Sequence, residues 1–513
     1  MKRYFSILLV LITTFFFAQI EDKKLDDLIK NTLTTFDVPG MSVGIIKDGK
    51  LIYAKGFGVA SLTTKKPMNE NTLVGIASNS KGFTATALAI LVDEGKLNWE
   101  DKVSKFIPEF KMYDDYASQE ITIKDLLTHR AGLGLGQGDL MFFPEGGTLS
   151  VQDIINNVKY LKPDYSFRDG MEYNNVLFIV AGEVIKRISG MEWADFIEQK
   201  ILKPVGMNSS FGSYNRAKNI SNKIDAHAPI NGKSVQVPHD WNETANAAGG
   251  IMSNITDMAI WADCLMNNFT TKDGKKLVSD KQIQQLWQIQ RPITVATKNP
   301  YDTHFYGYGL GWFLSDVKGQ FQVQHTGGLI GTVTQFTLLP DMKLGIIVLT
   351  NQQSGAAFNT ITNTVKDSYL GIEDRNWLKN YGERMTNYFA KMEQGKQKVF
   401  AESAAFAKDG KFPKENQYLG TYKDAWFGNV ELKKESKTVR FYSKTSPRLK
   451  GTLLPYSADS FIVNFDDKSY DADVFITFIF DEKGNAASAK LKPISDVTDF
   501  SFDFEDLDLV RVK

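Results

Sequence analysis

The sequence predicts an α/β fold in which an antiparallel sheet is flanked by helices, followed by a small all-β domain. Three patterns lead there. Residues 43–56 alternate β-branched and aromatic residues around Asp48-Gly49, the signature of a hairpin. Between about 100 and 290 apolar residues recur at helical spacing among Gly- and Pro-rich loops, and strand-like runs return at 308–314, 320–324, 332–339 and 344–350. Early strands, then helices, then strands make a sandwich whose two chain ends share one sheet. The third pattern lies beyond Tyr418. There, seven short alternating segments (429–433, 438–443, 451–454, 460–465, 474–480, 487–492 and 507–512) imply a separate barrel or sandwich.

The elements in order support this division. Lys2-Arg3 precedes an apolar run at residues 4–17 that is too short for a typical membrane span, so residues 1–18 read as a secretory signal peptide cut after Ala18, with retention as an N-terminal anchor the alternative. No later stretch reaches about 18 uninterrupted apolar residues, so no membrane span is expected after cleavage, and a periplasmic or secreted location follows. The α/β domain occupies 19–370. Within it, Phe83, Ala87, Leu88, Ile90 and Leu91 mark a buried helix that begins near Asn79 and stops at Gly95. Residues 371–414, rich in Lys, Glu, Ala and Met and closed by Pro413, read as a helical connector, and 415–513 as the all-β domain.

Composition removes several classes of function. The 513 residues are 42% hydrophobic and 23% charged, values of a globular chain rather than a disordered one. Lys plus Arg number 60 and Asp plus Glu 60. Without a basic excess, nucleic acid is not the expected partner. The single cysteine, Cys264, excludes intramolecular disulfides, C-x-x-C redox chemistry and Cys-based zinc sites, and its helical context makes it a small core residue. The five histidines form neither H-x-H nor H-E-x-x-H. No metal and no cofactor are expected.

Three constellations carry the chemistry. Ser78-Asn-Ser-Lys81 opens the predicted helix, so Ser78 and Lys81, three residues apart, share a face. A serine hydroxyl is a poor nucleophile until a base takes its proton, and a desolvated lysine can be that base. A helix start also offers free N–H groups to an oxyanion. Alone, the pair is far more often a capping serine and a surface lysine. Tyr173-Asn-Asn175, directly before the apolar helix at 176–188, supplies a phenol able to move a proton and an amide able to orient lysine and substrate. His325-Thr326-Gly327-Gly328 lies in a strand whose glycines admit a substrate backbone, with Gly328 N–H a second oxyanion donor.

In this order and on these elements, the three motifs resemble those of the penicillin-binding-protein and class C β-lactamase family of active-site serine hydrolases. Leu126-Leu-Thr-His-Arg-Ala-Gly-Leu, the stretch from Ala247 to Ala259, and Tyr308-Gly-Leu-Gly-Trp are similar to that family too. The resemblance covers about 22–365 and implies a β-lactamase/transpeptidase-like sheet. The tail that opens Tyr-Leu-Gly-Thr-Tyr resembles the lipocalin-like barrel of some members. It implies Ser78 as acylated nucleophile, Lys81 as general base, Tyr173 as proton shuttle, Asn175 as binder of the substrate amide, and His325, Thr326 and Gly328 as the substrate-binding strand. Two positions depart from the β-lactamase pattern. His325 replaces lysine, as in the D-Ala-peptidases and esterases of the family, and an unperturbed histidine would meet a substrate carboxylate with full charge only in acid. Asn174, where a small residue is usual, is expected to point away.

Gly40-Met-Ser42-Val-Gly44 also satisfies G-x-S-x-G, but that nucleophile needs a strand, a sharp turn and a helix. Here a hairpin follows, so Ser42 is expected to be a strand residue. The expected activity is therefore that of a secreted serine hydrolase forming an acyl-enzyme with a small peptide, amide or ester substrate. The alternative is a non-catalytic protein that keeps the fold and binds peptidoglycan fragments or other peptides.

Overall fold

The structure, a computed structural model, describes residues 19–239, 241–409 and 412–512. The expected signal peptide at 1–18 lies outside the described residues. Among those described, no helix is long and apolar enough to cross a membrane.

The principal strands of the first domain are β1 (Gly40–Lys47), β2 (Lys50–Gly58), β3 (Arg291–Pro292), β4 (Tyr306–Tyr308), β5 (Phe313–Val317), β6 (Gln320–Leu329), β7 (Thr332–Leu339) and β8 (Leu344–Thr350). They form one antiparallel sheet in the order β2-β1-β8-β7-β6-β5-β4-β3. The chain ends of the domain meet where β1 pairs with β8, Met41 opposite Thr350. β8 reads Leu-Gly-Ile-Ile-Val-Leu-Thr and every residue is buried, because helices cover both faces of the sheet at this point. On one face lie α1 (Asp22–Thr35) and α5 (Gly355–Tyr369), whose Leu25, Ile29, Ile361 and Val365 pack with Val43, Ile45 and Ile346. On the other lie α2 (Ser80–Asp93), α3 (Val176–Ser189) and α4 (Ile255–Met266). α2 is buried from Ser80 through Leu91, the pattern of a helix enclosed on all sides.

Two sequence readings change in detail. The single run at 308–314 is two strands, β4 and β5, separated by a turn at residues 309–312. The barrel has eight strands where seven were read: β9 (Gly420–Asp424) carries a single fully inward apolar side chain, Tyr422, and so lacks an alternating signature. Ser42 is a buried residue of β1. The glycines around it serve packing: a Cβ on Gly44 would stand 2.6 Å from Ile255 Cγ2, so the glycine admits α4 against the sheet. Cys264 is buried in α4, where burial pushes its thiol up to about 12.

Residues of the connector form one long helix, α6 (Trp377–Asp409). The chain then closes a barrel from β9, β10 (Gly428–Glu435), β11 (Thr438–Ser443), β12 (Lys450–Pro455), β13 (Ser460–Phe465), β14 (Val474–Phe480), β15 (Ala486–Pro493) and β16 (Leu509–Arg511). The barrel rests on the first domain. Thr148 N–H donates to Thr445 O at 2.9 Å, Arg448 pairs with Glu145 at 3.2 Å, and the Phe143 and Phe502 rings meet at 5.0 Å. One continuous apolar cluster runs from α2 into the barrel interior.

Candidate active site

Ser78 sits in a single 3-10 turn, Ala77–Asn79, that leads directly into α2. Ala77 has φ +49°, a left-handed conformation costly for a residue with a Cβ. That conformation is held by β6, where Gly327 lies against the turn: a Cβ there would come within 2.2 Å of Ile76 O. Gly327 thus serves the nucleophile turn. Gly328 is the residue that opens toward the cleft, since a Cβ on it would meet nothing closer than Val333 at 4.0 Å.

The i,i+3 spacing brings Lys81 Nζ to 2.9 Å from Ser78 Oγ. The same ammonium position donates to Asn175 Oδ1 at 2.7 Å and Ala248 O at 3.0 Å. Lys81 is wholly buried, and burial pulls it down to about 7, against the opposing charge of Asp139. The ring of Tyr173 lies 4.8 Å from Lys81 Nζ. Its hydroxyl is buried beside Ser78. Burial holds this phenol well above its ordinary value, although nearby Ser78 favours the ionised form. Asn174 points away, its Nδ2 donating to Gln137 O at 2.8 Å.

His325 is placed in the cleft beside Tyr173, with ring centroids 6.0 Å apart, but its charge differs from the sequence expectation. Its Nδ1 lies 2.6 Å from Thr326 O and its Nε2 3.0 Å from the Tyr308 hydroxyl. A neutral ring satisfies both contacts, Nδ1–H donating to the carbonyl and Nε2 accepting from the phenol. Burial, with Lys81 nearby, lowers His325 to about 3, so acid in the usual range does not charge it. The expectation of a cation switching on near pH 6.5 is thereby corrected: it assumed a solvated imidazole, and this one is enclosed.

Thr326 and Gly328 line the same cleft as Ser78, Tyr173, Asn175 and His325. All seven site residues named from sequence therefore converge. Three further groups were not recognised. His129, inside the Leu-Thr-His-Arg stretch, accepts the Asn174 N–H at 3.0 Å, and its ring packs at a tilt against Tyr173 with centroids 4.3 Å apart. Its loop is anchored by buried Asp125, which binds Arg130 and Arg168 at 2.7 and 2.5 Å. Asp139 accepts Asn175 Nδ2 at 2.7 Å. Finally, Phe500, Ser501 and Phe502 of the barrel line the cavity, whose volume is about 1580 Å³ and whose walls include Phe142, Trp241 and, from α6, Phe389. The sequence signal for this wall is the acidic and aromatic alternation Asp499-Phe-Ser-Phe-Asp503, which has no periodic partner nearby. Among the described residues no group of three or more His, Cys, Asp or Glu side chains could hold a metal ion.

Residues 25–370 match the family described as Beta-lactamase, and residues 414–511 match a domain of unknown function (DUF3471). The chain is 30% identical over 339 residues to Unguisins hydrolase ungD' of Aspergillus campestris, covering 64% of this chain and 61% of that protein. It is 28% identical over 337 residues to Penicillin-binding protein 4* of Bacillus subtilis, covering 60% and 67%. This chain spans 61% and 66% of the lengths of that Aspergillus protein and of a second Unguisins hydrolase, from Aspergillus violaceofuscus. Its fold is similar to that of the octameric penicillin-binding protein homologue from Pyrococcus abyssi, with a TM-score of 0.59 and 22% identity over 95% of this chain and 99% of that one. A family match reaching from α1 to the end of α5, and so enclosing Ser78, Lys81, Tyr173 and His325, shows that the chain belongs to the Beta-lactamase family.

Proposed function

We propose that the protein is a secreted active-site serine hydrolase that works through an acyl-enzyme on a peptide, amide or ester. The observation that carries the reading is the 2.9 Å contact between Ser78 Oγ and a buried Lys81 pulled down to about 7. A lysine so placed is substantially a free base at neutral pH and can take the serine proton.

In the first step the Ser78 O–H proton passes to Lys81 Nζ while Oγ bonds to the substrate carbonyl carbon. The resulting oxyanion is held by the N–H groups of Ser78 and Gly328. Collapse breaks the bond to the leaving nitrogen or oxygen, which receives a proton through Tyr173, resupplied from Lys81. The neutral phenol favoured by burial suits Tyr173 to donate at this step. Water then attacks the acyl-serine ester, its proton returns along the same groups, and the carboxylic acid departs from a regenerated Ser78. Asn175 keeps Lys81 aimed at the serine. Names of relatives that include a hydrolase and a penicillin-binding protein support acyl transfer as the reaction type. A cavity of about 1580 Å³, lined by aromatic side chains such as Phe142 and Trp241 and by charged ones such as Glu145 and Lys468, has room for an acyl donor larger than a single amino acid.

The test is intact-protein mass after exposure to a fluorophosphonate and to a penicillin. A stoichiometric adduct that localises to the peptide carrying Ser78 is expected. Reversible binding of peptides with no adduct from either probe would instead identify a recognition protein that keeps the fold.

A further inference from the structure

The connection between β15 and β16 leaves the barrel and enters the first domain beside the catalytic groups. Asp503 Oδ2 accepts the Gly138 N–H at 2.6 Å, and its Oδ1 accepts the Leu140 N–H at 3.1 Å. Ser501 O–H donates to Asp139 Oδ2 at 2.8 Å. That oxygen also accepts Asn175 Nδ2 at 2.7 Å, and Asn175 Oδ1 accepts from Lys81 Nζ at 2.7 Å. An unbroken hydrogen-bonded chain therefore runs from a barrel hydroxyl to the nucleophile, and Ser501, Asp503, Asp139 and Lys81 are all buried.

We propose that the barrel completes the catalytic site in cis, with Ser501 and Asp139 as positioning residues that act through Asn175 to set the orientation and basicity of Lys81. The proposal rests on the serine-hydrolase reading for its catalytic consequence, though the coupling itself does not need turnover.

The charges around the chain give the direction of the effect. Asp139 faces Lys81, Asp499 and Asp503; burial raises its carboxyl to about 7, while Asn175, Ser501 and Lys81 favour its ionised form. Lys81 faces Asp139, His129, His325 and Tyr173. Burial holds both histidines below their ordinary range and the phenol above its own, so these three stay neutral. Asp139 is thus the neighbour of Lys81 whose charge changes near neutrality. As a carboxylate it favours the ammonium and raises the lysine's affinity for protons. The Ser501 hydroxyl favours that carboxylate. Losing the hydroxyl shifts Asp139 toward its acid form, removes the anion and lowers the affinity of Lys81 for protons. Because the two groups titrate as a pair, the measured midpoints belong to both.

The experiment measures kcat/KM against pH on an activated ester and, separately, the 13C NMR titration of Lys81 in full-length protein labelled at lysine Cε, with the resonance assigned by its absence in Lys81→Ala. In Asp139→Asn the acid limb and the Lys81 midpoint should both move toward acid by about one pH unit. Ser501→Ala should move them in the same direction by a smaller amount, and Ser501→Thr, which keeps the hydroxyl, should restore them. Ser501→Ala carries the test if Asp139→Asn does not fold. A folded Ser501→Ala whose Lys81 midpoint and acid limb coincide with wild type, even if all rates are uniformly scaled, overturns the proposal while the hydrolase reading stands. A Lys81 midpoint that moves in a protein without turnover or adduct supports the coupling and overturns the hydrolase reading instead.

Discussion

Ser78, Lys81 and Asn175 reach one another through a helix start and the cap of an adjoining helix, whereas Ser501 and Asp503 reach the same cleft from the far end of the chain. In the first wall the Ser78–Lys81 contact is made by local helical spacing, and Asn175, 94 residues from Lys81, joins it once α2 and α3 pack. The second is made by tertiary docking: Ser501 meets Asp139 across 362 residues of sequence. The difference separates two tasks. Local spacing supplies the reacting groups, and long-range docking supplies their charge environment and the shape of the space before them.

The largest effect should come from the local wall. Ser78→Ala should gain no mass from a fluorophosphonate and lose about 10⁴-fold or more in turnover, the scale seen when a hydrolase loses its nucleophile. Ser42→Ala, altered in a buried strand away from the cleft, should label as wild type does. Adduct on the Ser78→Ala protein would break the assignment.

Lys81→Ala should cost about 10²- to 10⁴-fold in kcat/KM, the usual value of a positioned general base. In the unmodified protein the pH profile carries the same information. Lys81 must be unprotonated to accept the serine proton, so kcat/KM should rise with pH through about 7. Tyr173 is held neutral well beyond its ordinary range, so no alkaline fall from phenol ionisation should follow below pH 10. A rate already flat between pH 5 and 8 would sever lysine from the mechanism.

Removing the barrel and the residues before it, from 412 onward, probes the other wall. The loop that carries Asp139 would lose the Asp503 carboxyl that accepts the Gly138 and Leu140 N–H groups, and Phe143 would lose its Phe502 contact. Each unpartnered N–H costs about 1–3 kcal/mol if it stays buried, so the fragment should be less stable and label slowly, by about 10- to 100-fold on the energy of one or two such bonds. Labelling at the full-length rate would mean that the local wall suffices and that the barrel only covers the cleft.

The same division explains what could be read from the sequence. The sheet and the buried α2 were legible because strand alternation and helical periodicity are properties of neighbouring residues, and the site from Ser78 to Gly328 because its three motifs together resemble those of a known family. Gly327 and Gly328 were legible as a pair, but their separate duties, one against Ile76 and one facing the cleft, depend on packing. Asp139 looked like one acidic residue in a glycine-rich loop. Asp499-Phe-Ser-Phe-Asp503 falls between two strand-like segments of the all-β domain, and nothing in it names a partner. The charge of His325 was misread for the same reason. The residue type was visible, but its enclosure by Tyr308, Tyr173 and Phe313 was not.

That misreading yields the smallest expected effect and a direct comparison. If His325 were solvated, it would gain charge below about pH 6.5, and a substrate bearing a free carboxylate would gain on its methyl ester as the solution became acidic. The structure gives the opposite expectation. Nδ1–H is committed to Thr326 O, Nε2 to the Tyr308 hydroxyl, and burial keeps the imidazole neutral down to about 3. Protonating Nε2 would cost the Tyr308 donor its acceptor and place a second cation near Lys81. The ratio of kcat/KM for a matched carboxylate and ester should therefore stay constant within about twofold from pH 5 to 9, because Lys81 titration affects both substrates alike and cancels in the ratio. His325→Gln, which can keep one donor and one acceptor, should leave that ratio equally flat while changing the absolute rates. A ratio that climbs about tenfold on acidification in wild type and not in His325→Gln would equal the worth of a new charge-assisted hydrogen bond. It would return His325 to the role of a cation that reads substrate charge.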